Sequence, residues 1–439
     1  MKSDQSSTTR ITSLLNRERL LTVEVDGLTY GGAFIGRIVD GEAGQIGKKT
    51  FVRDTVPGEK ILATVVEEKK SYSESELTEI LVESPSRIVA PCAYYLKCGG
   101  CDIQHIELSV QREVKRKMVE DTLKFQGKIV PKNGVKLVGE KLAGFGYRKR
   151  VTLHLNEDGN LGFYRQKSGD VVQIGKCLLG SDVVNDGIQK VIPHARSLAK
   201  LVGGVLLEDH SKELFIVLKI REDSTHTDLP VAQKEDIAAT IKNFDVVYRK
   251  NVVSSYRNGR IVGKENIGSS SLGHFSQVNE EGNSILIDIV KEKVTSKKVT
   301  DLYAGSGNFS IPLASIGCQV DAVELDPVLA FHGEGLAASA KLSESVRFFS
   351  TSAEKFVKSN MLQPTVVLDP PRAGAKEVVK AFKQKKVKQV VYVSCNLPSL
   401  CRDLKTLSDS GYEILETSVV DMFSQTHHVE TVTVCELKS

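Results

Sequence analysis

The run Val393-Ser394-Cys395-Asn396 ends a stretch of apolar residues, and Pro398 follows where a helix would begin. Proline is favoured in a first helical turn. The spacing therefore predicts Cys395 at a helix N-terminus, whose partial positive charge lowers a thiol pKa and favours the nucleophilic thiolate. The plainer reading is a buried, inert cysteine. Thirty-odd residues on, His427-His428-Val429-Glu430 supplies a carboxylate that could act as a base. A thiolate plus a separate base suits substitution at a ring carbon that is itself a poor nucleophile. Addition at carbon 6 of uracil gives an enolate whose carbon 5 can attack a methyl sulfonium. The carbon 5 hydrogen must then be removed.

A methyl sulfonium needs a binding place, and the sequence offers one. Asp301-Leu-Tyr303-Ala-Gly305-Ser-Gly307-Asn308 follows an apolar run and opens a helical pattern. Glycines there let the backbone approach a ligand closely. Glu324 ends the next apolar run, where a carboxylate can accept both hydroxyls of a ribose. The three-glycine dinucleotide fingerprint is absent. The pattern therefore suits S-adenosylmethionine, which has no pyrophosphate, better than a nicotinamide or flavin. A glycine turn alone can be mere helix–strand packing. Leu368-Asp369-Pro370-Pro371-Arg372 closes another run, and its rigid turn could hold the Asp369 carboxylate beside a methyl donor.

Of eight cysteines, three are close together: Cys92, Cys98 and Cys101, with Cys177 downstream. Gly99-Gly100 would let the chain wrap tightly round a metal. Four thiolates fit zinc or an iron–sulfur cluster, and the spacing does not separate the two. The five-residue first gap differs from the three-residue gap of radical S-adenosylmethionine enzymes. Cys318, Cys401 and Cys435 lie in apolar contexts and read as core.

These residues must be positioned by elements of three kinds. Short alternating runs from Leu21 to Val82, broken by Gly31-Gly32 and Pro57-Gly58, predict a small β-barrel over 16–84 after a disordered tail at 1–15. Ser84-Pro85-Ser86 reads as a linker. A mixed α+β region spans 85–270, with strand-like runs at Tyr147–Leu155, Leu161–Tyr164, Leu214–Ile220 and Val246–Tyr248. From 271 to 439, apolar strands alternate with helices, which predicts a Rossmann-like α/β domain with a parallel sheet covered on both faces. The fold class is thus multidomain α/β. The net charge is only +4, which excludes a histone-like polycation, but Gln111–Gly180 carries 15 Lys/Arg against 7 Asp/Glu. That basic zone suggests a polyanion partner, although Arg112, Lys115, Arg116 and Lys117 opposite Val110, Val114 and Met118 would also fit an ordinary surface helix. The N-terminus lacks a secretory signal and no apolar run has membrane-spanning length, so a cytoplasmic protein with no membrane partner is expected.

Together these motifs resemble the RNA uracil-5-methyltransferase family, in particular its iron–sulfur-containing 23S ribosomal RNA members, over nearly the whole chain. Tyr30-Gly31-Gly32 and Val56-Pro57-Gly58-Glu59 resemble a TRAM domain, an OB-like RNA-binding barrel. Cys98-Gly-Gly-Cys101-Asp-Ile-Gln-His105 resembles the family's cluster signature, which implies a [4Fe–4S] cluster on Cys92, Cys98, Cys101 and Cys177. Phe275-Ser276-Gln277-Val278-Asn279 resembles the F-x-Q-V-N segment, and Met422-Phe423 through Glu430 the closing M-F…H-x-E motif. The resemblance implies that Gln277, Tyr303, Asn308, Glu324 and Asp369 meet S-adenosylmethionine or the target base, that Cys395 is the nucleophile and that Glu430 is the base. Ser352 stands where the family commonly has Asp or Asn near the adenine, so adenine recognition would rest on other groups.

The expected function is formation of 5-methyluridine in RNA, with large-subunit ribosomal RNA as substrate, by a monomer that carries its own RNA-binding modules. The cluster is expected to be structural, because the chemistry needs no electron. Alternatives are a transfer RNA uracil-5-methyltransferase, a non-catalytic RNA-binding factor or chaperone, and a redox iron–sulfur protein.

Overall fold

A computed structural model describes residues 19–42, 44–249, 251–262 and 277–438. The expected tail at 1–15, the boundary at 270–271 and the pair Phe275-Ser276 lie outside the described residues. The chain divides into two compact units, 1–89 with 105–107, and 90–104 with 108–439.

The first unit is a closed five-stranded barrel of Leu20–Leu28, Phe34–Asp40, Lys49–Val52, Lys60–Glu68 and Tyr72–Val82. Alternation puts Leu21, Val23, Val25, Phe34, Ile38, Ile61 and Ala63 inside. Closure removes the free edges that so short a sheet would otherwise present. Buried Glu59 is matched by Arg87, whose Nε lies 2.6 Å from Glu59 Oε1.

The second unit holds two eight-stranded sheets. One is built from strands between Arg150 and Val262, and the helix Asp182–Val191 packs on it through Val184, Ile188 and Val191. The other runs in the order Val346–Ser350, Gln319–Glu324, Lys298–Leu302, Thr365–Leu368, Gln389–Ser394, Glu430–Leu437, Tyr412–Val420, Val135–Val138. Its first five strands are parallel, as their apolar runs predict. Glu430–Leu437 is instead antiparallel to both of its neighbours. No helix crosses over between Tyr412–Val420 and Glu430–Leu437; the loop Asp421–Val429 turns the chain straight back, and only an antiparallel partner can follow such a loop. The edge strand Val135–Val138 comes from the middle of the chain and pairs in parallel with Tyr412–Val420.

The basic helix Leu108–Thr122 does not present its cations as one free face. Lys115 is fully buried, its Nζ 2.6 Å from Asp421 Oδ1 and 3.0 Å from the Phe423 carbonyl oxygen. Arg112 is also buried, with Nε 3.4 Å from Asp421 Oδ2 and its terminal nitrogens donating to the carbonyls of Glu140 and Leu142. Arg116 pairs with Glu113 and Glu120, and Lys117 with Asp121. Within this helix Lys115 and Arg112 therefore serve the fold, whereas Lys117, and beyond the helix Lys132 and Lys136, keep exposed side chains.

Candidate active site

Strand order in the C-terminal sheet reverses at Lys298–Leu302: the chain continues to Gln319–Glu324 on one side and to Thr365–Leu368 on the other. Ligands of open α/β sheets bind beyond the strand ends at such a point. The turn Tyr303–Asn308 lies there. Tyr303, Gly305 and Gly307 all have positive φ (64°, 56° and 93°). A side chain at Gly307 would meet Ile311 at 3.0 Å and Phe348 at 3.1 Å, whereas nothing lies within 4 Å of the Cβ direction of Gly305. The turn is therefore packed beneath Gly307 and open above Gly305.

Glu324 ends the neighbouring strand, and both of its carboxylate oxygens are held. Gly305 N–H donates to Oε2 at 2.9 Å and Asp326 N–H to Oε1 at 2.8 Å. The Tyr303 hydroxyl donates to Glu354 at 3.1 Å. The side-chain amides of Asn308 and Asn283 exchange hydrogen bonds of 2.9 and 3.1 Å. Ser352 caps the helix Ala353–Ser359 by accepting from Lys355 N–H at 3.2 Å, so its hydroxyl already has a local task. Gln277 precedes Asn279, the N-cap of helix Glu280–Lys293, and the Asn279 amide also donates to the Met422 carbonyl at 3.0 Å.

Cys395 and Glu430 meet because their strands are neighbours. Ser394 is paired with Thr431, so the residues just beyond, Cys395 and Glu430, face one another. Thr431 Oγ1 donates to the Ser394 carbonyl at 3.0 Å and fixes that register. Asn396 caps the helix Leu397–Asp409, accepting from Ser399 N–H at 3.0 Å, with Pro398 in its first turn. Helix and cap are as the sequence predicts, but the thiol is not activated by them. Burial, then the charges of Glu430 and Asp369, push Cys395 up to about 11, and Arg372 only partly offsets this. The expectation of a lowered thiol pKa is thus corrected for the free protein: desolvation and two carboxyls outweigh one helix end.

The carboxyls are themselves perturbed. Burial, and then Asp369, raise Glu430 well above the usual range, opposed by Arg372. Burial and the charge of Asp301 raise Asp369 to about 7. Asp301 is also raised to about 7 by burial, although Ser310 Oγ donates to its Oδ2 at 2.5 Å. Its Oδ1 is buried with no hydrogen-bond partner. Three proton-hungry carboxyls and a thiol within electrostatic reach of one another form a site prepared for positive charge.

The four signature cysteines come together elsewhere in this unit. Cys92, Cys98, Cys101 and Cys177 line one cavity of about 60 Å³ with Tyr94, Tyr95, Arg148 and Phe163. Gly99, next to Cys98, is tightly seated: a Cβ would stand 3.0 Å from the Tyr164 carbonyl oxygen. Asn185 holds Cys177 through both its N–H and its carbonyl, at 2.9 and 3.0 Å. Burial foremost, then the neighbouring thiols, push Cys101 up to about 12; burial also raises Cys98 and Cys177. Arg148 turns a buried, unpartnered Nε toward this environment. Among the described residues no three His, Cys, Asp or Glu side chains are gathered tightly enough for a single metal ion. Cys401 and Cys435 are buried in the core as expected, as is Cys318.

Comparison with known proteins bears on this arrangement. The tRNA (uracil-5-)-methyltransferase family model matches residues 338–437, the segment that carries Asp369, Cys395 and Glu430. An uncharacterized RNA methyltransferase of Aquifex aeolicus is 32% identical over 96% of this chain and 100% of its own length. The 23S rRNA (uracil(1939)-C(5))-methyltransferase RlmD of Shewanella sp. (strain ANA-3) is 32% identical over 89% of this chain and 91% of its own. The chain belongs to the RNA uracil-5-methyltransferase family. The Pyrococcus abyssi tRNA (uracil-54, C5)-methyltransferase has the same fold, with a TM-score of 0.70 at 24% identity, covering 94% of this chain and 99% of that one. Among the described residues of this RNA uracil-5-methyltransferase, no helix is long and apolar enough to cross a membrane.

Sequence reasoning passed over several residues that the methyltransferase places at its two sites. Asp301 was visible only as the first residue of a glycine motif, yet it sets the charge beside Asp369. Arg372 was read as part of a turn, yet it is the cation that tempers Cys395 and Glu430. Arg148 could have been found only by knowing that its backbone bridges to Gly180, just past Cys177, where Arg148 N–H donates to the Leu179 carbonyl at 2.7 Å.

Proposed function

We propose that this enzyme methylates carbon 5 of a uridine in large-subunit ribosomal RNA, with Cys395 as nucleophile, Glu430 as base and S-adenosylmethionine as the consumed methyl donor. The observation that carries the reading is the register that sets Cys395 opposite Glu430, beside the carboxyl of Asp369. The donor brings a methyl sulfonium and an ammonium group. Glu324 would accept from the ribose hydroxyls, while Tyr303, Asn308, Gln277 and Asp369 line the path from donor to base. Positive charge seated against Asp369 and Asp301 lowers the proton affinity of every group there, Cys395 included. The nucleophile is thereby armed once the donor is bound.

The Cys395 sulfur then bonds to carbon 6 of the uracil, and the electron pair released at carbon 5 takes the methyl group. Glu430 removes the carbon 5 proton, and the electrons of that bond expel the Cys395 sulfur. A base paired in a helix cannot reach a half-buried thiol, so the target uridine must leave its stack. The barrel over 16–84 is assigned as a TRAM domain that grips RNA together with the region over 85–270. The thiols Cys92, Cys98, Cys101 and Cys177 are assigned to a structural [4Fe–4S] cluster. Four sulfurs lining one cavity support a metal centre, and the likeness of Cys98–His105 to the family's cluster signature favours iron–sulfur over zinc. The ribosomal substrate is supported by the relatives' names. A transfer RNA substrate is the second reading, favoured by the description of the matching family model.

The test is tritium release from RNA labelled at uridine carbon 5, with anaerobically purified protein. Donor-dependent release from 23S RNA, lost in Cys395→Ala, is expected. Release from transfer RNA alone would change the substrate and keep the chemistry. No release from either RNA, with RNA bound, would refute the assignment in favour of a binding factor.

A further inference from the structure

The loop that carries the cysteine signature is bonded directly to the loop that delivers Glu430. Asp102 follows Cys101, and its N–H and that of Ile103 both donate to the Gln425 carbonyl, at 3.0 and 3.2 Å. The Asp102 carboxylate accepts from the backbone N–H of His427 at 3.3 Å and lies 2.7 Å from His427 Nδ1. Its other oxygen accepts from Gln166 Nε2 at 3.3 Å, and its carbonyl accepts from the Tyr95 hydroxyl at 2.7 Å. His427 packs against His428, their ring centroids 4.1 Å apart. His428 is held neutral, lowered to about 4 by burial and by its neighbours His427 and Arg372. Glu430 follows two residues later. Both side chains of the Asp102–His427 pair are largely buried, 10% and 15% exposed.

This places a hydrogen-bonded pair, made by residues with no part in the chemical steps, between the cysteine cavity and the base. We propose that Asp102 and His427 are positioning residues that hold the segment 425–430 so that Glu430 reaches the carbon 5 proton. The cysteine loop thereby acts as a pin for the base, with no electron moved. The inference rests on Glu430 being the base. The carboxylate suits the task because it must accept on both sides, from His427 and from Gln166. In Asp102→Asn one side chain oxygen becomes an N–H donor. With the amide oxygen toward His427 and the nitrogen toward Gln166, whose own amide can turn to accept, the contacts to His427 lose their charge assistance.

A displaced base affects one step more than the others. Sulfur addition and methyl transfer precede proton removal, so a poorly aimed Glu430 leaves methylated RNA bonded to Cys395. The experiment uses the full chain, purified anaerobically, with Asp102→Asn, His427→Ala and Glu430→Gln compared against the parent protein on the same 23S RNA fragment. Iron content, methyl incorporation, tritium release and RNA–protein adduct on a denaturing gel are read together, with hydrogen exchange over 425–430. Asp102→Asn should keep its iron, lose roughly tenfold in turnover, the scale of one charge-assisted hydrogen bond, and accumulate adduct. Its KM for donor and RNA should stay within about twofold, and amides 425–430 should exchange faster. If Asp102→Asn loses iron, His427→Ala carries the test, since it leaves the cysteine loop and the Asp102 carboxylate intact. Parent-like turnover and no adduct in the iron-bearing variants, while Glu430→Gln does accumulate adduct, would overturn the pin alone. Absence of adduct in Glu430→Gln would instead overturn the base assignment on which it rests.

Discussion

Lys115 offers a direct contest between two roles for a basic helix. In the fold it is fully buried against Asp421, itself fully buried, with 2.6 Å between Nζ and Oδ1. Replacing it by Met removes the charge, keeps the length, and strands the carboxylate. Breaking a buried pair from one side costs about 3–5 kcal/mol. Asp421 would retain Ser424 Oγ at 2.6 Å and Arg112 Nε at 3.4 Å, which argues for the lower end, about 3 kcal/mol. That corresponds to a fall of about a hundredfold in the protection of the helix Leu108–Thr122. Native-state hydrogen exchange on the full chain reads this helix by itself. The same variant should leave the salt dependence of RNA affinity unchanged, because a buried ammonium releases no counterions from RNA. A phosphate-contacting lysine would instead reduce the slope of log K against log salt by about one. Unchanged protection together with a shallower salt slope would refute the internal role. The double variant Lys115→Met with Asp421→Leu should recover part of the lost protection, since it leaves neither charge alone.

Other consequences are open to measurement. Asp301 is raised from 3.8 to about 7, so its contribution to stability is complete below about pH 4 and is lost as pH rises through 7. The difference is worth about 4 kcal/mol; Asp301→Asn should therefore flatten the fall in melting temperature between pH 5 and 8, and an unaltered slope would contradict the raised pKa. Gly99→Ala drives a Cβ onto the Tyr164 carbonyl and the Gln166 backbone, which cannot swing aside as a side chain would; iron per chain should fall sharply, and full iron loading would show that this backbone yields. Glu324→Gln withdraws a charged acceptor from the Gly305 and Asp326 amides, and calorimetry should find S-adenosylmethionine binding weakened by at least about tenfold; unchanged affinity would remove Glu324 from the site.

Much of this was legible because it is local. Thr365–Leu368 and Gln389–Ser394 are continuous apolar runs of strand length, and Asn396-Leu397-Pro398 is a cap followed by a first-turn proline. The barrel's strands alternate inside and outside as a closed sheet requires. What escaped is what depends on partners distant in sequence. Val135–Val138 is four residues long and nothing within it says which sheet it joins. The long strands Val202–His210 and Tyr412–Val420 were passed over because both faces are buried for most of their length, which removes the two-residue alternation. Lys115 looked like a solvated cation because its counter-charge lies at Asp421. The pKa of Cys395 was misjudged for the same reason: the helix end is written beside it in the sequence, whereas the carboxyls that oppose it come from two other strands.

The parallel pairing of Val135 with Thr417 bears on how such an enzyme can be divided or recombined. A fragment cut at the start of the C-terminal α/β region would carry the whole reaction centre yet lack its last strand. Tyr412–Val420 would then present a long, mostly apolar border to solvent, an invitation to self-association. The catalytic portion is therefore not a cassette that can be transplanted behind another RNA-targeting module at that junction. A graft that preserves solubility has to start upstream of residue 135 and therefore carries the whole sheet between Arg150 and Val262 with it, so the α/β sheet and the middle of the chain are inherited as one piece.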